Sequence, residues 1–318
     1  DRASPGVGNT VVFGPGITSA DLSLELDTTG ASPALLIHVG NGGEVANGPS
    51  LARDPRLGPI GDAIRLDGFN LEDATGPRAV ETFRFADGTS LSYDQLLSLG
   101  IAVNGTAAPE SLTGTSARDR LAGAGGNDRL TGGEGDDTYF FNAGDGVVSI
   151  NDTASPFDPN TVVFGSGITP ENLQLDLDAA TGELILRVGQ AGDAVRLSGF
   201  TPDDPYGDHA VEFYRFADGS VLTYSQLIDR GFDVLGTSGN DDLPGTATAD
   251  RIMGSAGHDL IRGGAGGDSA AGEAGDDTYV YRIGDGILTI DDLATIGEGN
   301  TLEFGEGIAL ADLRNRLS

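Results

Sequence analysis

Glycine and aspartate recur every nine residues in two parts of this chain, and this interval restricts the fold more than any other feature. In GSAGHDLIRGGAGGDSA, residues 254–270, three pairs show it: Gly254 and Gly263, Gly257 and Gly266, Asp259 and Asp268. A helix repeats about every 3.6 residues and a strand about every 2, so neither element produces this interval. We therefore predict a structural unit nine residues long.

The repeats form two blocks with one internal pattern. Four nonapeptides run from Gly105 and five from Gly236. The sixth position is acidic throughout, at Glu110, Asp119, Asp128, Asp137, Asp241, Asp250, Asp259, Asp268 and Asp277. The eighth position is apolar or aromatic, at Leu112, Leu121, Leu130, Tyr139, Leu243, Ile252, Ile261, Ala270 and Tyr279. The alternative for a Gly/Asp-rich run is a disordered linker, but the strict phase favours a folded repeat.

Each nonapeptide is predicted to be a turn followed by a short strand. Glycines in its first half permit positive φ and a sharp turn, and the eighth side chain points inward from the strand. Successive turns then fall on opposite edges of a coil, so that turns two repeats apart stack. Their carbonyl and carboxylate oxygens form an all-oxygen cage. Ca²⁺ takes about six to eight oxygen ligands in tolerant geometry, so it fits this cage better than Mg²⁺ does.

The candidate calcium ligands are the sixth-position carboxylates and glycines of the turns: Asp119, Asp128, Asp137, Asp241, Asp250, Asp259, Asp268, Asp277, Gly132, Gly135, Gly239, Gly257, Gly266 and Gly275. The stacked pairs are ranked in the order Asp241 with Asp259 and Asp259 with Asp277, then Asp250 with Asp268 and Asp119 with Asp137, then Glu110 with Asp128. Turns 105–110, 114–119 and 245–250 lack glycine at the fourth position and are expected to be poorer half-sites. Asp145 and Asp285 each stand between two glycines in phase, and are expected to close the last sites over Asp128 and Asp268.

A longer repeat surrounds the nonapeptides. NTVVFGPGIT at 9–18 returns as NTVVFGSGIT at 160–169 and as NTLEFGEGIA at 300–309. We therefore divide the chain into seven segments: the end of one unit (1–8), a β domain (9–102), a roll (103–150), a connector (151–159), a second β domain (160–233), a second roll (234–292) and the start of a third unit (293–318). The chain is expected to be a section of a longer tandem array.

Both β domains are predicted to be antiparallel, each with one short helix. Leu22, Leu24 and Leu26 alternate with polar residues, as in a strand with one buried face. The Asp-Gly pair of each FADG motif suits a hairpin turn. Capping-box spacing then opens a helix in each copy, at Ser92 with Gln95 and at Thr223 with Gln226. The predicted fold is all-β, with two short parallel β-rolls alternating with antiparallel β domains.

The composition of the chain limits its partners. Its 49 acidic and 18 basic residues give a formal net charge of −31, so it repels nucleic acid and anionic membranes and attracts cations. It has no cysteine, which excludes disulfides and zinc–thiolate sites. No apolar run reaches the about 18 residues of a membrane-spanning helix, and no signal peptide opens the sequence.

The nonapeptides resemble the RTX (repeats-in-toxin) family, whose repeat is G-G-x-G-x-D-x-U-x with U a large apolar residue. GGEGDDTYF at 132–140 matches every position if Tyr139 is accepted as U, and GGAGGDSAA at 263–271 departs only at Ala270. The β domains resemble the haemolysin-type calcium-binding related domain through FADG and the capped helix. The resemblance implies export by type I secretion machinery and folding with Ca²⁺ outside the cell. The chain then looks like a section of a surface adhesin, filament or matrix protein.

Two alternatives to this spacer remain open. The first is the RTX region of a toxin or hydrolase, whose catalytic domain would lie outside these residues. The second is a carbohydrate- or partner-binding module that uses the predicted exposed loop 41–58 or the FADG hairpins, and self-association is open in either case. Catalysis within the chain is disfavoured, because His38, His209 and His258 are scattered and no G-x-S-x-G or lysine-containing phosphate loop is present.

Overall fold

The computed structural model describes residues 8–40, 62–152, 158–178, 181, 183–189, 192–292 and 297–314. The predicted loop 41–58 lies outside them, as do parts of 1–8, 151–159 and 293–318. The chain forms two compact units: Asp1–Asn172 with Val188–Val195 and Ala210–Leu222, and Leu173–Arg187 with Arg196–His209 and Thr223–Ser318. No helix in the described ranges has the length and apolarity needed to cross a membrane.

The described residues of the first β domain form seven strands, one α-helix and one 3-10 helix: β1 (Thr10–Val12), the 3-10 helix Ser19–Asp21, β2 (Leu22–Asp27), β3 (Ala34–Val39), β4 (Ala63–Asp67), β5 (Thr82–Arg84), β6 (Ser90–Ser92), α1 (Tyr93–Leu97) and β7 (Ile101–Asn104). As predicted, β2, β3 and β4 form an antiparallel meander, and β5 and β6 an antiparallel hairpin. In addition, β1 runs parallel to β5 and β7 parallel to β2. Side-chain alternation shows which face is buried and not which way a partner strand runs, so these parallel pairs were not predictable.

The predicted hairpin turn and helix are both present. Gly88 has a φ of 90°, and the Asp87 carboxylate accepts the backbone N–H of Thr89 at 2.8 Å. At the start of α1 the Ser92 hydroxyl accepts the Gln95 N–H at 3.2 Å, and the Gln95 side chain accepts the Ser92 N–H at 2.8 Å. The second copy has the same contacts at Asp218 with Ser220 and at Thr223 with Gln226, opening α2 (Tyr224–Ile228).

The first block of nonapeptides forms parallel strands: β8 (Ser111–Thr113), β9 (Asp119–Ala122), β10 (Asn127–Thr131), β11 (Thr138–Phe141) and β12 (Val147–Ile150). β9 pairs with β7 and β11 on one side of the coil, and β10 pairs with β8 and β12 on the other. Paired strands belong to nonapeptides that are separated by one other nonapeptide, so that Leu121 lies opposite Tyr139. The roll therefore has the predicted alternation of strands between two sides.

The second β domain contributes β13 (Thr161–Phe164), the 3-10 helix Pro170–Asn172, β14 (Leu173–Leu177), β15 (Leu184–Val188), β16 (Ala194–Leu197), β17 (Phe213–Arg215), β18 (Val221–Thr223) and β19 (Phe232–Leu235). In the first unit β13 lies parallel between β11 and β17. In the second unit β14 is parallel to β19, with Asp176 opposite Asp233. Each β domain thus joins a roll through parallel pairing.

The second block forms β20 (Asp242–Pro244), β21 (Asp250–Met253), β22 (Leu260–Arg262), β23 (Gly267–Ala271), β24 (Thr278–Tyr281) and β25 (Ile287–Ile290), followed by β26 (Thr301–Phe304) and the 3-10 helix Leu310–Asp312. One side runs in the order β19, β21, β23, β25 and the other in the order β20, β22, β24, β26, with every pair parallel. The fold is all-β with stacked parallel rolls, as the sequence predicts.

The eighth-position side chains fill the rolls. Leu121, Leu130 and Ile261 have no exposed surface, and Tyr139 is 1% exposed. Only Leu112, in the first strand of the first roll, is half-buried. A nonapeptide therefore buries one such side chain, worth about 1.5–3 kcal/mol for Leu or Ile, while ordering each residue costs about 1–2 kcal/mol of backbone entropy. The apolar interior alone is too small to stabilise a roll.

Candidate metal centre

Turns two repeats apart are joined by their sixth residues. In each stacked pair the backbone N–H of the earlier residue donates to a carboxylate oxygen, Oδ1, of the later one. The pairs and their N–O distances are Glu110 with Asp128 (2.9 Å), Asp119 with Asp137 (2.8 Å), Asp241 with Asp259 (2.9 Å), Asp250 with Asp268 (3.1 Å) and Asp259 with Asp277 (2.9 Å). The structure thus brings together every acidic pair that the interval of 18 residues predicts.

The second carboxylate oxygen of the later residue has no protein partner. Oδ2 of Asp128, Asp137, Asp259, Asp268 and Asp277 is buried and accepts no hydrogen bond, and so is Oδ1 of Asp119. These residues are at most 2% exposed. A buried carboxylate that lacks a partner is costly, because the charge has left water without compensation. A cation beside each such oxygen would remove that cost.

The first-position glycines leave the space into which these oxygens point. A Cβ on Gly132 would overlap Oδ2 of Asp137, and one on Gly272 would overlap Oδ2 of Asp277. The same overlap occurs for Gly123, Gly254 and Gly263 with the sixth residues of their own turns. Glycine is therefore required at the first position because the sixth-position carboxylate of the same turn folds back over it. The requirement does not depend on a positive backbone φ.

We call a set of turns that are stacked 18 residues apart a column. The fourth-position residues contribute backbone carbonyls to these columns. A Cβ on Gly257, whose φ is 128°, would overlap the carbonyl oxygen of Gly239, and one on Gly275, whose φ is 138°, would overlap that of Gly257. A Cβ on Gly135 would come within 2.8 Å of the Ala117 carbonyl oxygen. The backbone carbonyl oxygen at the fourth position of one turn thus lies close to the turn stacked on it.

These donors suit calcium better than a metal held by side chains alone. The described residues contain no group of three or more His, Cys, Asp or Glu side chains that could hold a metal. A cation in these columns therefore needs carbonyl oxygens to complete its shell, and Ca²⁺ accepts a mixed set of carbonyls and carboxylates. The residues present fit calcium.

Burial shifts the acid–base behaviour of the column. Desolvation raises the pKa of Asp137 to about 9, of Asp119 to about 7, of Asp268 to about 7 and of Asp250 to about 6. It also raises the pKa of Asp128 and Asp259. A cation at the column favours the charged carboxylate and opposes this shift.

The first turn of each column is built differently. Threonine stands at its second position, and its N–H donates to the sixth carboxylate of the same turn: Thr115 to Asp119 at 2.5 Å, Thr237 to Asp241 at 2.6 Å and Thr246 to Asp250 at 2.6 Å. Thr106 makes the equivalent contact with Glu110. These turns include 105–110, 114–119 and 245–250. That they bind calcium less well than the other turns remains a prediction. They also include 236–241, which sequence ranking placed among the best.

The turns at Asp145 and Asp285 cover the ends of two columns. A Cβ on Gly146 would overlap the carbonyl of Gly126, and one on Gly286 that of Gly266. The Asp145 carboxylate accepts the Asn142 N–H at 2.7 Å, and that of Asp285 accepts the Arg282 N–H at 2.6 Å. Both carboxylates thus shape their own turns. Their service as calcium ligands stays a prediction.

The sequence reasoning missed the residues that end the other columns. Asn160 Oδ1 accepts the Asp137 N–H at 2.8 Å, and Asn300 Oδ1 accepts the Asp277 N–H at 2.9 Å. At the end of its column, each asparagine therefore accepts the backbone N–H that the next aspartate accepts elsewhere in the column. The asparagine side chain is neutral. Both asparagines open copies of the NTxxFG motif, but each lies 23 residues from its partner, outside the nine-residue phase that identified the aspartates.

A tyrosine and a second aspartate complete each of these ends. The Tyr279 hydroxyl donates to Asp292 at 2.6 Å and accepts the Gly272 N–H at 2.7 Å. Tyr139 makes the same pair of contacts with Asp152 and Gly132. Tyrosine at the eighth position of the last nonapeptide thus supplies a buried hydroxyl that leucine could not.

The three histidines lie apart from one another in local contacts. His38 Nε2 is 2.7 Å from Glu25, and His209 stacks on Tyr224 with ring centroids 3.8 Å apart. His258 Nδ1 accepts the Asp276 N–H at 3.0 Å. Each histidine therefore has a structural contact that accounts for its position.

Comparison with family models agrees with this geometry. The RTX calcium-binding nonapeptide repeat matches four times, at residues 113–148, 235–270, 244–279 and 254–288. The haemolysin-type calcium binding protein related domain matches residues 183–226. No curated protein matches the chain. The chain therefore carries RTX haemolysin-type calcium-binding repeats and a related haemolysin-type domain, and its rolls are structural modules that bind Ca²⁺.

Proposed function

We propose that Ca²⁺ folds the two rolls outside the cell and turns this chain into a rigid spacer of a secreted or cell-surface protein. The observation that carries the proposal is the row of buried carboxylate oxygens without a protein partner. A chain with these groups in its core is poorly stable until a cation enters, because each uncompensated charge opposes folding. Calcium thus acts as a folding ligand.

The free energies support a switch. Ca²⁺ at about 100 times its Kd contributes about 2.7 kcal/mol per site when it binds only the folded state. The five stacked pairs would together contribute about 13 kcal/mol, which is comparable with the about 5–15 kcal/mol that separates folded from unfolded states in ordinary domains. Since a column shares its carboxylates between neighbouring turns, binding at one level orders the next. The transition is therefore expected to be cooperative in calcium.

The composition supports export before folding. The chain needs no disulfide, since it has no cysteine, and its net charge of −31 disfavours collapse where calcium is scarce. This is the behaviour that passage through type I secretion machinery requires. The family match supports the same setting, and the tandem repeat of roll and β domain favours a spacer in an adhesin, filament or matrix protein.

A calcium titration followed by circular dichroism tests the folding switch. Asp259→Ala is the informative variant, because Asp259 donates its N–H to Asp277 and accepts that of Asp241. Asp242→Ala is the matched control, since the Asp242 side chain is 62% exposed and forms an ion pair with Arg262. We expect a cooperative gain of strand signal with calcium and not with magnesium, weakened by Asp259→Ala and unchanged by Asp242→Ala. Equal strand signal in chelator and in calcium would overturn the proposal.

The spacer role has a separate test. Two fluorophores at engineered cysteines, one at exposed Val12 and one at exposed Leu310, report the end-to-end distance of the chain. Saturating calcium should narrow the distribution of that distance in single-molecule energy transfer. A distribution as broad as in chelator, with the rolls folded by circular dichroism, contradicts the spacer and leaves calcium binding intact.

A further inference from the structure

Each β domain places a loop on the first turn of one calcium column. We call these segments the docking loops; they are residues 70–78 in the first copy and 201–209 in the second. The turns that receive them begin the columns of Asp119 and Asp250. The third residue of the turn donates its N–H to the second residue of the loop: Ser116 to the Leu71 carbonyl at 2.7 Å and Ala247 to the Pro202 carbonyl at 3.0 Å.

In the first copy Arg78 fastens the docking loop to helix α1. Its guanidinium carbon lies 4.9 Å from the centroid of the Tyr93 ring, and its nitrogens donate to Asp94 and Glu81 at 2.9 Å each. It also donates to the Thr75 carbonyl of the loop at 2.8 Å. Because arginine is always charged in proteins, the cation over this ring is permanent.

The second copy has a histidine in the place of this arginine. When the two RFADG segments are aligned, His209 and Tyr224 occupy the positions of Arg78 and Tyr93. Their rings stack with centroids 3.8 Å apart and planes inclined by 1°. The Tyr224 hydroxyl also donates to the Pro205 carbonyl of the docking loop at 2.9 Å. The second loop is therefore held against α2 at the same place, by an imidazole instead of a guanidinium.

The hydrogen bond of His209 shows which nitrogen takes up a proton. Nδ1 lies 2.8 Å from the Gly207 carbonyl oxygen, and a carbonyl oxygen only accepts, so Nδ1 carries a hydrogen. Nε2 is then the nitrogen that gains a proton when the ring becomes charged. Histidine changes charge between about pH 5 and about pH 8, and a cation over an aromatic ring is attracted by it. Protonation therefore gives His209 the contact with Tyr224 that Arg78 always makes with Tyr93.

The ionisable groups on the elements around His209 are mostly acidic. Helix α2 carries Tyr224 and is followed by Asp229 and Arg230. The other groups are carboxylates, three of them in the docking loop and one before β17: Asp203, Asp204, Asp208 and Glu212. A positive charge on His209 therefore enters surroundings of net negative charge.

We propose that proton uptake by His209 fastens the second docking loop to α2 and lowers the calcium concentration at which the second roll folds. The first roll has no dependence of this kind, because Arg78 holds its loop at every pH. The inference rests on the proposed calcium folding switch, since a contact that stabilises the folded state lowers the calcium needed for folding. The stabilisation is complete below about pH 6, where histidine is charged in the unfolded chain as well, and is lost as the pH rises to about pH 8.

Calcium titrations at about pH 6 and about pH 8, followed by hydrogen exchange of peptides from each roll, test the proposal. His209→Gln is neutral at both pH values, and His209→Arg copies the first unit. At about pH 6 the calcium midpoint of the second roll should be about threefold higher in His209→Gln than in the wild type, as expected for one lost cation–π contact. At about pH 8 this ratio should shrink, whereas His209→Arg should keep the low midpoint. Loss of the uncharged ring contact acts equally at both pH values, so the change of the ratio with pH reports the charge.

The first unit supplies the reciprocal variant. Arg78→His places a histidine over Tyr93, so the first roll should acquire the pH dependence that the second roll has. Its calcium midpoint relative to the wild type should rise more at about pH 8 than at about pH 6. A rise that is equal at the two pH values would show that the position needs arginine for its shape, and would contradict the role assigned to the charge.

Thermal unfolding in saturating calcium separates this inference from the calcium switch. The wild type should unfold at a higher temperature than His209→Gln, by a margin that is larger at about pH 6 than at about pH 8. Strand signal that is equal in chelator and in calcium contradicts the proposed function, and the thermal margin then still decides whether His209 acts as a proton-dependent fastener. A thermal margin and a ratio of midpoints that are the same at both pH values overturn the role of His209.

Discussion

Gly257 and Gly239 stand at the same position of two stacked turns, but only one of them has room for a side chain. Gly257 has a φ of 128°, and an added Cβ would lie under 3.0 Å from the carbonyl of Gly239. Gly239 has no positive φ, and its added Cβ would meet only the Thr237 hydroxyl at 3.6 Å. We therefore expect Gly257→Ala to damage the column and Gly239→Ala to be tolerated.

The size of the effect follows from two contributions. An alanine held at positive φ costs about 1–3 kcal/mol, and overpacking against backbone costs about 1–3 kcal/mol more. The total cost is about 3 kcal/mol, and it is shared between a calcium ion above the turn and one below it. Each ion therefore loses about 1.4 kcal/mol of binding free energy, which raises the midpoint calcium concentration about tenfold. Alanine keeps the backbone carbonyl, so the loss reports the stacking geometry rather than a missing ligand.

Calcium titration of both variants by circular dichroism measures this difference. Gly239→Ala should keep the wild-type midpoint, because the backbone φ of Gly239 is not positive and the added Cβ would meet only the Thr237 hydroxyl at 3.6 Å. Midpoints that shift equally in the two variants would refute the reasoning, which depends on the difference in backbone φ and in the distance from the added Cβ to the neighbouring turn.

Three further predictions concern the ends and the charges of the columns. Asp137→Asn should raise the calcium midpoint about tenfold. The control Asp136→Asn should leave the midpoint unchanged, because the Asp136 side chain is 37% exposed beside Arg118. Equal shifts of the midpoint in the two variants would contradict the role of Asp137 as a calcium ligand. In chelator, acidification from about pH 8 to about pH 5 should restore strand signal, because burial raises the pKa of Asp119 from 3.8 to about 7 and the folded state therefore binds more protons than the unfolded one. This stabilisation is lost as the pH rises through the folded pKa and is complete, at about 4 kcal/mol, only below the unfolded pKa; about 3 kcal/mol of it is present at about pH 5. Loss of strand signal on acidification would contradict this prediction. Asn160→Leu should destabilise the calcium-bound chain by about 1–3 kcal/mol in thermal unfolding because the Asp137 N–H loses its acceptor, and Asn160→Asp should recover part of that loss; no recovery would argue against an acceptor role.

The rolls were predictable because their contacts are local in sequence. Stacked partners are 18 residues apart, so the same interval that places Asp119 beneath Asp137 also places Leu121 opposite Tyr139. The hairpin at Gly88 and the cap at Ser92 depend on even shorter segments. For these elements the side chain, its partner and the required φ can all be inferred from one short window.

The column ends were not predictable in the same way. Asn160 lies 23 residues from Asp137, outside the nine-residue phase, and nothing in its local sequence shows that it continues a column of aspartates. The parallel pairing of β2 with β7, whose residues Leu24 and Ile101 lie opposite each other, is equally remote. Such contacts depend on how whole elements pack, which the alternation within one strand does not encode.

The sequence by itself determined the repeat, the inward eighth side chain, the glycine turns and the acidic columns that suit calcium, because each follows from residue type and a fixed short interval. Only the tertiary structure decided which carboxylate oxygens are buried without a partner and which residues end a column. Those properties depend on the complete surroundings of an atom, and the surroundings come from parts of the chain that meet only after it has folded.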